Sequence, residues 1–354
     1  MRAAVLHGAR DLRIEEVPSP LEPGPREVLI RTHLCGICGT DLHEYADGPH
    51  LATLTPHPLT GASLPQILGH EFSAVVSAIG DGVTSVVPGD RVAIMPLFFC
   101  GECGACRRGQ HQVCVRLGAV GLNWPWGGMG EYALVLEHQV AVLPEGVSDL
   151  QGALVEPAAV AINSVTRAGV RGGDTVLVTG GGPIGQLAGL AAVAAGAGAV
   201  ILSEPNAARR ARAADLGFTE VVDPKATDIA GTAQGLFGDG VDVAIECAGN
   251  EPALNACIAA VRRGGTVMQT GLHVRPVQLN PRDLTLRDVS LVGANCFPVT
   301  GWPRVIRLMA SGRLPVERIV TGRIDLADTL GQGFDALLDP SGGHVKILVT
   351  VDRG

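Results

Sequence analysis

The chain has 354 residues, 46% of them hydrophobic and 18% charged, a composition of folded domains rather than disorder and long enough for two cores. Its formal charge is −8, from 27 Lys and Arg against 35 Asp and Glu. That balance speaks against nucleic acid as a partner and offers no basic patch to a membrane.

Met1 to Gly8 turns polar too soon for a signal peptide. The Ala-rich run from Leu187 to Ala199 is broken by glycines and reads as a buried helix, not a membrane span. A cytoplasmic protein is expected, so its nine cysteines read as thiols or metal ligands before disulfides.

Ala3–Leu6, Leu12–Val17 and Glu27–Thr32 are short apolar pieces, the last two separated by prolines, and predict strands of an antiparallel, partly solvated sheet. Next comes Cys35-Gly36-Ile37-Cys38-Gly39-Thr40-Asp41-Leu42-His43. The two cysteines could be half a zinc knuckle, but no matching second pair follows nearby. A more productive set is Cys38 with His70 and Glu71. Thiolate, imidazole and carboxylate would hold zinc with one coordination place open, as catalysis requires. Alone, Gly69-His70-Glu71 is more often structural; its company favours the ligand set. Tyr45 to Ile67 predicts a surface loop over the cleft, with His50 and His57 solvated. Ala74–Gly80 and Val86–Ile94 predict two more strands.

Cys100, Cys103, Cys106 and Cys114 have the spacing C-x2-C-x2-C-x7-C, with glycines that let the chain fold back. Four thiolates match a closed tetrahedral zinc site, structural because no place is left for substrate. Iron–sulfur ligation is the alternative, with a different spacing. Trp124 and Trp126 read equally as core or as walls of an apolar cleft. Tyr132–Leu136 predicts a strand. Glu156, before Pro157 in an Ala-rich helix start, is either a helix N-terminal charge or a group facing a metal.

From Asp174 strands and helices alternate, with strands at Thr175–Thr179, Val200–Glu204, Glu220–Asp223, Val241–Cys247, Thr266–Thr270 and Ser290–Ala294. This predicts a doubly wound parallel sheet. Its first strand runs into Gly180-Gly181-Gly182-Pro183-Ile184-Gly185. Gly180 permits the tight turn, Gly182 the approach of a pyrophosphate, and Gly185 close packing of helix on strand. The helix N-terminus would receive the phosphates. Glu204, 19 residues after Gly185, can accept hydrogen bonds from both adenosine ribose hydroxyls and would repel a 2′-phosphate. Arg209, Arg210 and Arg212 are placed on the solvated face of the next helix. After Asn295, helices near Trp302–Ser311 and Ala327–Leu338 and strands near Val320–Ile324 and Val345–Val351 are expected, the last strands returning to the first sheet.

Taken together, Gly36-Ile37-Cys38-Gly39-Thr40-Asp41, Gly69-His70-Glu71, Val87-Pro88-Gly89-Asp90-Arg91-Val92, the four-cysteine lobe, Val155-Glu156-Pro157 and the glycine turn resemble the medium-chain, zinc-dependent alcohol and polyol dehydrogenases over essentially the whole chain. The resemblance implies an α/β fold. A GroES-like, mostly-β catalytic domain would comprise residues 1–160 and 297–354, with the zinc lobe at 96–116 and a Rossmann domain inserted at 161–296. It implies NAD, two zinc ions per chain, a small alcohol or ketone substrate and a homodimer or homotetramer. It assigns the alcohol proton to Thr40, relayed through the nicotinamide ribose to His43, and further cofactor contacts to Pro183, Ile184, Arg209, Thr270, Leu272 and Asn295. Either Glu71 or Glu156 completes the catalytic metal sphere. Glu71 is similar to the sorbitol dehydrogenase branch. His57-Pro58-Leu59-Thr60-Gly61, Trp124-Pro125-Trp126-Gly127-Gly128 and Ser203-Glu204-Pro205-Asn206 look most like the 2,3-butanediol dehydrogenases. A sorbitol- or threonine-type dehydrogenase is the alternative.

Overall fold

The structure is a computed structural model that describes residues 1–20 and 22–352. In chain order the first part gives β1 (Arg2–Gly8), β2 (Asp11–Glu16), β3 (Glu27–Gly36), α1 (Gly39–Asp47), β4 (Gln66–Ile67), β5 (Glu71–Ile79), β6 (Arg91–Ile94), β7 (Leu97–Phe98), α2 (Gly104–Arg107), β8 (Gly118–Ala119), β9 (Tyr132–Leu136), β10 (Val140–Val142), α3 (Asp149–Gly152) and α4 (Val155–Ala168). Then follow β11 (Thr175–Thr179), α5 (Pro183–Ala194), β12 (Ala199–Ser203), α6 (Ala207–Ala214), β13 (Glu220–Val222), α7 (Ile229–Phe237), β14 (Val241–Glu246), α8 (Glu251–Ala260), β15 (Val261–Gln269), α9 (Pro281–Arg287) and β16 (Ser290–Gly293). The chain ends with α10 (Trp302–Ala310), β17 (Val320–Asp325), α11 (Ala336–Leu338) and β18 (Lys346–Thr350).

The first part is mostly β. In β3, Val28, Ile30, Thr32 and Leu34 are buried while Glu27, Leu29, Arg31 and His33 are half-buried, the alternation of a strand with one face on a core. It is the hub of a sheet ordered β10-β6-β5-β3-β18-β17, with β9 also on β3. β1 and β2 lie instead in a separate sheet with β4, so the first three strands do not share one sheet. Pro18, Pro20, Pro23 and Pro25 lead the chain out of the first hairpin without donors to extend it. The strand expected at Val86–Ile94 begins only at Arg91, because Pro88 and Gly89, at φ +97°, make a turn. α1 also replaces the first residues of the loop expected from Tyr45.

The second part is a parallel sheet ordered β13-β12-β11-β14-β15-β16. β11, β12 and β14 are buried along nearly their whole lengths, as strands covered on both faces must be. Strand order reverses between β11 and β14, where a crevice opens beyond the strands' C-terminal ends. β18 returns to the first sheet, antiparallel to β3 and parallel to β17. The helix expected over Ala327–Leu338 is a π-helical stretch, Thr329–Asp335, followed by the single turn of α11. Gly331 and Gly333 within it weaken a regular helix.

One core joins the parts. It includes Leu34 and Ala93 from the β-rich part, Val155, Ala158 and Ile162 from α4, and Val176 and Ile245 from the parallel sheet. No helix among the described residues is long and apolar enough to cross a membrane.

Candidate active site

Sheet register assembles the first cluster. Gly36 stands opposite Glu71 in the β3–β5 pairing and opposite Leu348 in the β18–β3 pairing. Cys38 follows β3, and His70 precedes β5. Three segments distant in sequence therefore meet at Gly36. A Cβ there would lie 2.4 Å from Glu71 Oε2 and 2.9 Å from Lys346 Cε, so a larger residue would have to displace this buried ion pair. Gly69, at φ +100°, is equally constrained, since its Cβ would come within 2.6 Å of Cys35 Sγ.

Donor atoms of Cys38, His70 and Glu71 lie within 4.8 Å of one another. His70 turns Nδ1 toward Asp41 Oδ1 at 3.4 Å, which leaves Nε2 for the set. Asp41 is fully buried, and its Oδ2 accepts the Cys38 N–H at 2.9 Å. Burial opposes a charge on His70, yet the neighbouring Asp41 and Cys38 hold its pKa well above the ordinary imidazole value. Burial raises the Cys38 thiol, and the charge of Glu71 adds to that. Glu71 pairs with the Lys346 ammonium, both side chains about 1% exposed, and Lys346 Nζ also donates to Ile37 O at 2.9 Å. This donor set fits zinc: a thiol, an imidazole and a carboxylate, buried, with Asp41 orienting the imidazole and no fourth protein donor among the described residues.

Glu156 faces the same centre from α4 but is not one of the three converging donors. Burial pushes its carboxyl up to about 8, against the pull of His70 and with the help of Glu71. Thr40 and His43 sit three residues apart on α1, Thr40 half-buried and His43 exposed. Cys35 is wholly buried with its Sγ against Gly36 O, outside the donor set. His57 is not solvated: it is buried, with Nε2 at 3.3 Å from Leu117 O. His50 is exposed, as expected. Trp124 and Trp126, each half-buried, pack against the core of the β-rich part, and Trp124 Nε1 donates to Leu134 O at 2.7 Å.

The four lobe cysteines also converge within 4.8 Å. Backbone N–H groups point at their sulfurs: Cys103 N to Cys100 Sγ at 3.4 Å, Cys106 N to Cys103 Sγ at 3.5 Å and Cys100 N to Cys114 Sγ at 3.3 Å. Burial acts against ionising Cys100, but the Cys103 N–H and the neighbouring thiols outweigh it and bring it to about 6. Burial drives Cys106 the other way, to about 12. Such a closed set of sulfurs fits a structural zinc.

The glycine turn separates into three physical roles. Gly180 is at φ +95°. A Cβ on Gly185 would fall 1.7 Å from Gly180 O, whereas one on Gly182 would meet nothing within 4 Å, leaving open space above the backbone. The turn opens on a cavity of about 750 Å³ lined by Gly180, Gly182, Glu204, Arg209, Lys225 and Asn250 among others. Glu204 Oε2 accepts the Gly181 N–H and Oε1 the Asn206 N–H, each at 2.7 Å, so its carboxylate is fixed in the cavity wall. These features fit a dinucleotide. The arginines are not on a solvated face as a group. Arg209 Nε donates to His344 O at 3.0 Å, and Arg210 ties back to Glu204 O, Pro205 O and Asp223; only Arg212 is exposed.

Thr270, Leu272 and Asn295 do not line this cavity. Thr270 Oγ1 donates to Ser164 Oγ at 3.0 Å, Leu272 is exposed, and Asn295 Nδ2 reaches Gln112 O of the lobe at 2.7 Å. Sequence reasoning missed Asp41, Lys346 and Cys296. The signal for Lys346 was present, a lone lysine opening the apolar run Ile347-Leu348-Val349. Cys296 stands at φ +43°; burial raises its thiol to about 12, with Glu156 next among the causes.

Two family descriptions match the chain: "Alcohol dehydrogenase GroES-like domain" over residues 24–145 and "Zinc-binding dehydrogenase" over 183–311. The (R,R)-butanediol dehydrogenase of Bacillus subtilis (strain 168) is 37% identical over 353 residues, 99% of each chain. The sorbitol dehydrogenase of the same organism is 33% identical over 355 residues, 100% of this chain and 98% of its own. The crystal structure of 2R,3R-butanediol dehydrogenase from Bacillus subtilis superposes with a TM-score of 0.92 at 36% identity, covering 99% of each chain.

Proposed function

We propose, since the chain belongs to the zinc-containing medium-chain dehydrogenases, that it is an NAD-linked dehydrogenase of secondary alcohols or vicinal diols that interconverts 2,3-butanediol and acetoin. The coarser statement needs no proposal: this is a zinc-dependent dehydrogenase acting on CH–OH donors with a nicotinamide cofactor. The observation that carries the reading is the Cys38, His70 and Glu71 set, with no fourth His, Cys, Asp or Glu converging on it among the described residues. When bound, zinc supplies Lewis acidity to a hydroxyl oxygen and the nicotinamide accepts hydride. Thr40 Oγ1 takes the hydroxyl proton as it releases its own toward His43. His43, on the same face of α1 and exposed, passes it toward water. Glu71 serves as the carboxylate ligand and Glu156, pushed toward its neutral form, stays outside the donor set. The catalytic domain is taken as 1–160 with 297–354, the cofactor domain as 161–296, and the setting as cytoplasmic. A homodimer or homotetramer is part of the proposal, supported by β16 at the sheet's end with Leu291 exposed.

NAD in preference to NADP is supported by three groups. Glu204 presents a fixed carboxylate in the adenosine cavity, Arg209 donates its Nε to His344 O, and Arg210 is tied to Glu204 O, Pro205 O and Asp223. Replacing Glu204 with alanine is expected to raise KM for NAD and to narrow the preference over NADP about tenfold or more. Steady-state kinetics with both cofactors check this; unchanged constants with both would remove Glu204 from the role.

Butanediol is supported by the 37% identical butanediol dehydrogenase of Bacillus subtilis, and the polyol alternative by the 33% identical sorbitol dehydrogenase of the same organism. NADH formation should be measured with the stereoisomers of 2,3-butanediol, sorbitol, threonine and simple secondary alcohols. The highest kcat/KM is expected for a 2,3-butanediol isomer. A higher value for sorbitol or threonine would transfer the assignment to that class.

A further inference from the structure

Glu246 ends β14 at the reversal point of the parallel sheet, and its side chain is wholly buried. A carboxylate so placed is costly unless its oxygens are satisfied. They are. Oε1 accepts the N–H groups of Ala248 at 2.7 Å and Gly249 at 2.8 Å. Oε2 accepts Gln269 Nε2 at 2.8 Å and lies 3.2 Å from His273 Nε2. Ala248 and Gly249 belong to the turn after β14, and His273 to the turn after β15. The Glu246 carbonyl joins the same two turns, accepting N–H from Thr270 and Gly271 at 2.9 Å each. Glycines permit the contact: a Cβ on Gly271 would lie 2.4 Å from Gly249 N, and one on Gly249 would lie 2.6 Å from Leu272 O.

Both turns lead to the candidate active site. Ala248 and Asn250 line the nucleotide cavity, and Ala248 N is 3.0 Å from where a Cβ of Gly180 would be. The other turn is tied through Thr270 to Ser164 of α4, the helix that carries Glu156. His273 is 14% exposed, and its Nδ1 is buried without a hydrogen-bond partner, so the ring is anchored by Glu246.

We propose that Glu246 is a positioning residue for the dinucleotide and that His273 and Gln269 hold it in place. It fixes the spacing between the turn after β14, which walls the adenosine cavity, and the neighbouring turn after β15, both on the β14 side of the crevice. None of the three touches a reacting atom; they act through the geometry of the cofactor site. The inference rests on the NAD reading above.

The test is NADH binding to the zinc-loaded protein by isothermal titration calorimetry, with steady-state kinetics beside it. His273→Ala is expected to weaken NADH about tenfold, as for a lost hydrogen bond to a charged group, and to raise KM for NAD more than it lowers kcat. His273→Gln, whose amide N–H sits at the depth of Nε2, is expected to recover most of that loss. Glu246→Gln sets an NH2 group against the donors of Gln269 and His273 and is expected to be at least as impaired as His273→Ala. Wild-type affinity in a folded His273→Ala or Glu246→Gln protein overturns the inference and leaves the NAD reading standing. A wild-type protein that takes up no NADH removes that reading and the inference with it.

Discussion

Cys38→Ala is expected to lower kcat/KM at least about a thousandfold, the loss of several kcal/mol of Lewis-acid stabilisation, and to reduce bound zinc from two ions per chain to one. The argument is geometric. Cys38, His70 and Glu71 are the converging donors of this centre, and alanine leaves only two. Two protein donors hold zinc poorly, and the buried imidazole then has only Asp41 to face. The four-cysteine lobe shares no residue with the centre, so its ion should stay. Native mass spectrometry counts the ions, and circular dichroism confirms that the variant is folded. Two ions per chain with near wild-type turnover would take Cys38 out of the metal set.

Lys346→Met is expected to destabilise the protein by about 3–5 kcal/mol, because it strands a buried carboxylate. Lys346 and Glu71 are both about 1% exposed, and Asp41 and Cys38 add negative charge or its potential nearby. Burial alone would lower the lysine's pKa, but Glu71, Cys38 and Asp41 together outweigh it and the net shift is upward, so Lys346 is a cation in the folded protein. An ion in the centre would compensate Glu71 in the lysine's absence. The loss of melting temperature on going from wild type to Lys346→Met should therefore be larger in chelator-treated protein than in zinc-loaded protein. Scanning calorimetry of both proteins in both states measures it. An equal loss in the two states would show that Lys346 does not share Glu71 with a metal, and Lys346→Arg, which keeps the charge, should fall between wild type and methionine.

The parts legible in the sequence were those with local spacing. The glycine turn, the four lobe cysteines and the alternation of strands and helices after Asp174 each announce themselves within a short window, and each appears where expected. The convergence of Cys38 with His70 and Glu71 was inferred from donor chemistry, although the strand register that produces it cannot be read from spacing. Lys346 was missed because it comes to Glu71 from the far end of the chain, through the pairing of β18 with β3. His57 was misplaced because a polar, proline-rich loop suggests solvent, whereas this one folds back on Leu117 and Asn123. Arg209 and Arg210 were placed on a solvated face because the carbonyls of His344, Glu204 and Pro205 that they meet carry no signature in a sequence, and Asp223, which also pairs with Arg210, follows the next strand.

The chemistry turns on whether a hydride moves between an alcohol carbon and a nicotinamide. Zinc-loaded protein incubated with NAD and 2,3-butanediol deuterated at its carbinol carbons answers it directly, by the mass of the NADH formed. One deuterium per NADH is expected, and none when the diol is unlabelled. NADH that forms without deuterium, or no NADH from this diol or from any labelled secondary alcohol, would contradict it.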